Sequence, residues 1–236
     1  MKSGYVIHPL GDSAAILKWE QEISMAVHQE VMKAYHCLRI SSSPYILDLI
    51  PAYASLTIVY DAALIRNNER VPGLQWLTAY IATKIKTRDA ITAPAPRKLR
   101  IPVCYDPSLG PDITEMAVSR KVTIADIIAW HCETVYTVYL TGFLPGFPYM
   151  GKVCAALETP RRPQPRLQVP AGSVGIAGAQ TGIYPLASPG GWNIIGQTPL
   201  RMFDATHADP CYCHPGDQVQ FIPVTLEVFR QIQHEQ

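Results

Sequence analysis

The chain has 236 residues, enough for one large or two small domains, with 48% hydrophobic residues, 17% charged residues and a formal net charge of +1. A charge this close to zero supplies no field to gather nucleic acid or an anionic membrane, and no basic stripe with interleaved aromatics is present. The opening stretch has no apolar core of signal-peptide length, and no run reaches the ~18 apolar residues of a membrane helix, so a cytoplasmic protein is expected.

In chain order, Tyr5–Leu10 and Ala14–Trp19 read as strands joined by a turn at Gly11-Asp12-Ser13. Ile23, Val27, Val31, Ala34, Tyr35 and Leu38 recur at helical spacing and predict a helix over about 20–38, ended by Ser41-Ser42-Ser43-Pro44. Ile46–Ile50 and Leu56–Tyr60 are β-branched, strand-like runs split by Pro51. Leu74, Leu77, Ile81 and Ile85 mark a helix beginning near Gly73. Thr92-Ala93-Pro94-Ala95-Pro96 is the best linker candidate, because alternating proline stiffens a chain and ends helices.

After the linker, Leu99–Tyr105 reads as a strand and 111–119 as a short helix with Pro111 and Asp112 in its first turn. A second short helix, 124–132, opens on a capping-box pair, Thr123 and Asp126. Val135–Thr141 alternates as a strand does. From Gly142 onward the glycine and proline spacing favours many short strands, as in a small barrel. Val219–Val224 closes the strand series, and 226–233 reads as a terminal helix.

The least ordinary stretch runs between Glu158 and Asp204. Its 45 residues hold seven of the 21 prolines and seven of the 15 glycines, and no acid, where an even spread of the chain's 19 acids would put about three or four. Its formal charges are Arg161, Arg162, Arg166 and Arg201. A turn-rich, purely cationic segment suits an anion or a partner.

Familiar chemistry is missing from the sequence. There is no GxxxxGK[ST]; Gly172, Gly175 and Gly178 are spaced GxxGxxG, not GxGxxG; HExxH is absent; and Gly172-Ser173-Val174-Gly175 is not the GxSxG elbow of hydrolases. His131, His207, Asp204 and Asp209 offer no spacing that singles out a catalytic His/Asp pair. The six cysteines form no CxxC pair and read as reduced thiols. Cys211-Tyr212-Cys213-His214 lacks a second pair of zinc ligands, so buried structural cysteines and no metal site are expected.

Four stretches taken together carry a resemblance: PAYASL from Pro51, GFLPGFPY from Gly142, the acid-free segment through Phe203-Asp204, and PGDQVQF from Pro215. In this order and spacing the chain resembles the family of 5-oxoprolinase B subunits, also called allophanate hydrolase subunit 1-like, which includes the sporulation kinase A inhibitor KipI. The resemblance covers essentially the whole chain. It implies an α+β fold, with a small ferredoxin-like N-terminal domain over 1–93 and a cyclophilin-like β-barrel domain over 94–236.

The resemblance also implies partners: the C subunit of 5-oxoprolinase, an allophanate hydrolase subunit 2-like protein, and the A subunit, of the LamB/YcsF type. The implied reaction is ATP-dependent opening of 5-oxoproline to glutamate, in which phosphorylation of an unreactive lactam oxygen readies the carbonyl for water. ATP, with magnesium, is expected mainly on the partners, and the isolated chain is expected to be inactive. Arginine suits carboxylate and phosphate oxygens. Arg162 and Arg166 are therefore expected to meet substrate, phosphate or the partner's acids. Ser173, Gln180 and Thr181 would supply neutral hydrogen bonds. Phe147, Tyr184 and Trp192 would wall a groove that Ser188 rims. Arg201 would bind a ligand or pair with Asp204 or Asp217, and His131 is the proton-transfer candidate. The alternative readings are a KipI-like inhibitor of a sensor histidine kinase and a binding module without catalysis.

Overall fold

The computed structural model describes residues 4–41, 43–85 and 95–235. The chain divides into two units, Met1–Ala95 and Pro96–Gln236. Most of the expected linker, Thr92 to Pro94, lies outside the described residues.

In the first unit, β1 (Val6–Pro9) and β2 (Ala14–Lys18) form the hairpin, with Gly11 at φ 66° in its turn. Helix α1 (Met25–Ile40) starts later than its periodicity suggests, because Ser24 takes extended backbone angles as N-cap. Strands β3 (Ile46–Pro51) and β4 (Ser55–Tyr60) follow, and Pro51 ends β3 rather than standing outside it. Helix α2 (Ala62–Glu69) is an addition to the sequence reading. Asp61 caps it, accepting from the Leu64 amide at 2.8 Å, but its single buried residue, Ile65, leaves no periodic stripe to detect. Helix α3 (Gly73–Lys84) completes the unit.

The sheet order is β1-β2-β4-β3, antiparallel throughout. β2 and β3 are both antiparallel to β4, so they run parallel to each other, joined through α1. That is the split β-α-β of a ferredoxin-like fold. Its outer strand β1 comes from the start of the chain rather than the end, which makes the arrangement a permuted one. Alternation along β4 points Leu56, Ile58 and Tyr60 inward, where they meet Leu17, Val31, Leu38, Leu77 and Ile81.

The second unit opens with β5 (Lys98–Val103), α4 (Ile113–Arg120) and α5 (Ile124–Glu133). The capping box at α5 forms: the Asp126 amide donates to Thr123 Oγ1 at 3.1 Å and the Thr123 amide donates to Asp126 Oδ2 at 2.8 Å. The strands are β6 (Val135–Thr141), β7 (Pro148–Gly151), β8 (Arg166–Val169), β9 (Ser173–Ala177), β10 (Gln180–Ile183), β11 (Ser188–Gly190), β12 (Asn193–Gln197) and β13 (Gln218–Pro223); α6 (Leu226–His234) ends the chain.

Among the described residues, seven strands form one sheet in the order β12-β9-β10-β7-β6-β13-β5. Its two edges meet where Cys104 and Gln197 exchange backbone hydrogen bonds, each 2.9 Å, so the sheet curls into a barrel. β8 and β11 form a separate ribbon. The barrel interior is packed with Val103, Val138, Met150, Ile176, Ile195, Phe221 and their neighbours. All six cysteines are free thiols, and burial pushes the Cys213 thiol up to about 12. No helix among the described residues is long and apolar enough to cross a membrane.

His131 belongs to this core. It has no exposed surface and stacks on Phe221, with ring centroids 4.4 Å apart. Thr181 Oγ1 donates to the Gly175 carbonyl at 3.1 Å, so it accepts from His131 Nε2 at 3.0 Å. Nδ1 then accepts from the Tyr105 hydroxyl at 2.7 Å. The donor order fixes the neutral Nε2–H tautomer, and burial lowers the histidine's pKa to about 3. The expectation that His131 transfers protons to a ligand is therefore corrected: the side chain is a sealed core member.

An unfolded histidine titrates near 6.5, so His131 contributes stability that is fully present above that pH and is lost as the pH falls towards about 3. The slope in that window is roughly 1.4 kcal/mol per pH unit from this group alone. Urea unfolding of the barrel unit at pH 7, 6 and 5 should show the decline, and His131→Gln should flatten it. Equal slopes in both proteins would contradict the assignment, as would a His131 ring that titrates between pH 7.5 and 5 by NMR.

Candidate functional site

The acid-free segment starts as a bridge between Thr159 and Gly178, crosses to the β8–β11 ribbon, and then supplies β9, β10 and β12 of the barrel. The Arg162 amide donates to the Gly191 carbonyl at 2.8 Å, which ties the two ends of the ribbon together. Glycine is required at Gly190, where any Cβ would collide with the Tyr184 hydroxyl.

The carboxylate that answers the segment comes from the same chain. Asp112, at the N-cap of α4, has a side chain only 3% exposed. Its Oδ1 accepts from Arg162 Nη1 and from Arg166 Nη2, each at 2.6 Å. Its Oδ2 accepts from Arg166 Nη1 at 2.8 Å and from the Ile194 amide at 2.6 Å. A buried carboxylate needs such partners to remain ionised. The hydrogen bonds that Arg166 donates to Asp112 raise its pKa further. Arg120 adds a second clamp from α4: Nε donates to the Ala156 carbonyl at 2.7 Å, and Nη2 to the Glu158 carbonyl at 2.6 Å and to Thr159 Oγ1 at 2.7 Å.

Arg162 and Arg166 are thus committed first to Asp112, which corrects the expectation that they are held open for a ligand or for a partner's acids. Some cationic character survives. Two guanidiniums share one carboxylate, the exposed Glu115 lies 3.8 Å from Arg162, and the buried Arg162 Nε has no hydrogen-bond partner among the described residues. Arg161 is exposed beside them. Burial pushes the Tyr149 and Tyr184 phenols up, and the nearby Arg161 charge pulls both back.

Phe147, Tyr184 and Trp192 are buried together with Val169, Ala177 and Ile194, in a cluster distinct from the barrel core. Phe147 is its hub: it meets Tyr184 edge-on at 5.1 Å and Trp192 at 5.4 Å. Phe143 packs edge-on against Phe147 at 5.8 Å yet is 64% exposed, and Leu167 on β8 is 93% exposed. The aromatics form the floor of this face rather than the walls of an open groove.

The other expected residues are dispersed. Thr181 lies inside the barrel on His131, and Ser173 is buried on β9. Gln180 is half-buried at the start of β10, opposite Ala177. Ser188 is buried in β11, its hydroxyl 3.2 Å from the Pro189 carbonyl. Arg201 takes its Asp204 option, at 2.9 Å, while Asp217 pairs with Arg97. Sequence reasoning gives no role to Asp112, Arg120 or Arg161. For Asp112, the available signal is an acid at a helix start, although in the structure its side chain makes no cap hydrogen bond to α4.

The chain matches the family described as "Carboxyltransferase domain, subdomain C and D" over residues 5–213. It is 35% identical to the 5-oxoprolinase B subunit of Bacillus subtilis (strain 168), over 98% of each chain. It is 36% identical to the 5-oxoprolinase B subunit of Escherichia coli O157:H7, over 91% of this chain and 94% of that one. The crystal structure of TTHA0988 superposes with a TM-score of 0.75 at 33% identity over 89% of this chain, which spans 40% of that longer one. With matches that run the length of both chains at this identity, the chain belongs to the family of 5-oxoprolinase B subunits.

Proposed function

We propose that this chain is the B subunit of an ATP-dependent 5-oxoprolinase that opens 5-oxo-L-proline to L-glutamate together with the A and C subunits. The observation that carries the reading is the end-to-end match to the Bacillus subtilis protein, 35% identical over 98% of both chains. Membership of a multi-subunit assembly follows from the name those relatives bear.

The side chains here support a contributing subunit rather than a self-sufficient enzyme. The one proton-transfer candidate, His131, is sealed in the barrel and held neutral. The arginine-bearing face does not fit a nucleoside triphosphate, since two of its cations already share the buried Asp112 carboxylate. That crowding supports the reading in which ATP and its magnesium are held by the A and C subunits. What this chain offers them is a weakly cationic surface over an aromatic floor, edged by Phe143 and Leu167. Exposed apolar side chains beside a packed floor are the composition of an interface. Arg161 is the cation left to meet a carboxylate of the substrate or of a partner.

Three outcomes test this. Mixing the three purified subunits with ATP and 5-oxo-L-proline should release glutamate, and this chain alone should release none; a silent full mixture, or turnover by the chain alone, overturns the reading. Phe143→Ser with Leu167→Ser should weaken assembly with the partner subunits about tenfold or more, with little change in thermal midpoint; unchanged assembly by analytical ultracentrifugation would remove this face from the interface. Asp112→Ala should cost roughly 3–5 kcal/mol in urea unfolding, because it strands two guanidiniums, whereas Arg161→Ala should stay within about 0.5 kcal/mol. A loss below about 1 kcal/mol for Asp112→Ala would deny the clamp its structural weight.

A further inference from the structure

The loop between β12 and β13 borders an open cavity of about 430 Å³, with Arg97, Arg201, Asp204, His207 and Asp209 on its walls and Leu99 and Tyr212 in its apolar lining. The volume falls within the ~300–1,000 Å³ of small-molecule sites. Asp204 organises the loop. Its Oδ1 accepts from the Thr206 amide at 3.0 Å and hydroxyl at 2.7 Å, and its Oδ2 meets Arg201 Nη1 at 2.9 Å and His207 Nδ1 at 3.3 Å.

Two groups on the walls remain available. Arg97 is held along one edge of its fork: Nε donates to Asp217 Oδ1 at 2.8 Å, and Nη2 donates to Asp217 Oδ2 and, at 3.2 Å, to the Tyr212 carbonyl. Asp217 is buried and also accepts from the His214 amide at 2.7 Å, so the guanidinium plane is fixed. The opposite nitrogen, Nη1, has no partner among the described residues. Asp209 meets His214 Nε2 through Oδ2 at 2.9 Å, and its Oδ1 is likewise without a partner among the described residues.

A fixed, half-exposed cation and an exposed carboxylate therefore face one cavity, and because Asp217 already answers Arg97, the two arginines of its walls meet three aspartates. A lining without positive surplus gives a polyanion no advantage. It suits a ligand that carries both signs. We propose that this cavity binds a small α-amino acid as its zwitterion, the carboxylate on Arg97 Nη1 and the ammonium on Asp209. L-Glutamate is the first amino acid to try; that choice rests on the activity proposed above, whereas the site itself does not. The lining also favours it over 5-oxo-L-proline, whose uncharged lactam nitrogen offers Asp209 a single neutral N–H in place of a charged ammonium.

Calorimetric titration of the purified chain should show L-glutamate and glycine binding, with 5-oxo-L-proline and N-acetyl-L-glutamate at least about tenfold weaker. Asp209→Asn, at a surface position 65% exposed, should weaken L-glutamate about tenfold and leave the thermal midpoint unchanged. Absence of amino-acid binding at millimolar concentration, equal binding of the N-acetyl compound, or an unaffected Asp209→Asn variant would each overturn the site. The readout uses this chain alone: turnover by the three-subunit mixture without amino-acid binding would sink the cavity and leave the proposed enzyme role standing, and the reverse pattern would do the opposite.

Discussion

A carboxylate with almost no solvent cannot keep its charge unless donors surround it, and Asp112 has four hydrogen bonds from three residues. Each donor arrives from a different point of the second unit. Arg162 and Arg166 come from the entry to the ribbon and from β8, and the Ile194 amide comes from β12, the edge strand that closes the barrel. Ribbon, closing strand and α4 are therefore positioned by one side chain. The aromatic cluster follows from that placement: with β8 drawn towards α4, Val169 and Trp192 pack into the cluster centred on Phe147 and Tyr184. The ion cluster also decides the electrostatics of the face. A segment that reads as purely cationic becomes, in space, a nearly neutralised one with a small positive surplus.

The barrel interior makes a complementary point. Through its largely apolar core runs a line from Tyr105 through His131 and Thr181 to the Gly175 carbonyl, in which each donor has an acceptor. Such a line costs little when complete, and much when any member is removed. It joins β5's exit, α5, β10 and β9, elements far apart in sequence, and so helps select one packing of α5 against the sheet. Because the interior is filled in this way, ligands and partners have only the outside of the barrel to use.

What was legible in the sequence is what local chemistry dictates. The hairpin at Gly11, the capping box at Thr123 and Asp126, and the strand at Val135–Thr141 each depend on residues within a few positions, and each appears where the pattern puts it. What was illegible depends on pairing across distance. Asp112 lies 50 and 54 residues from its arginines, and the Cys104–Gln197 closure brings together backbone groups that no side-chain pattern marks. His131 falls between these cases. Ile127 and His131 are one helical turn apart on the buried face of α5, so the apolar stripe passes through the histidine, a signal of a core position that the reading of His131 as a proton-transfer candidate did not use. The candidate site was legible as a segment and not as a set of contacts, since composition reports which charges are present but not which are already answered.

That distinction bears on what the arginine-bearing face can bind. Free guanidiniums would have argued for phosphate binding here. Guanidiniums bound to an internal carboxylate argue for a rigid scaffold, because their entropy is already spent before any encounter. Rigid, nearly neutral and aromatic-floored, the face gains little from a small anion, which would have to compete with Asp112 for every donor. It gains more from a second protein surface, which can cover Phe143 and Leu167, remove their apolar area from water and bring its own acids to the exposed Arg161.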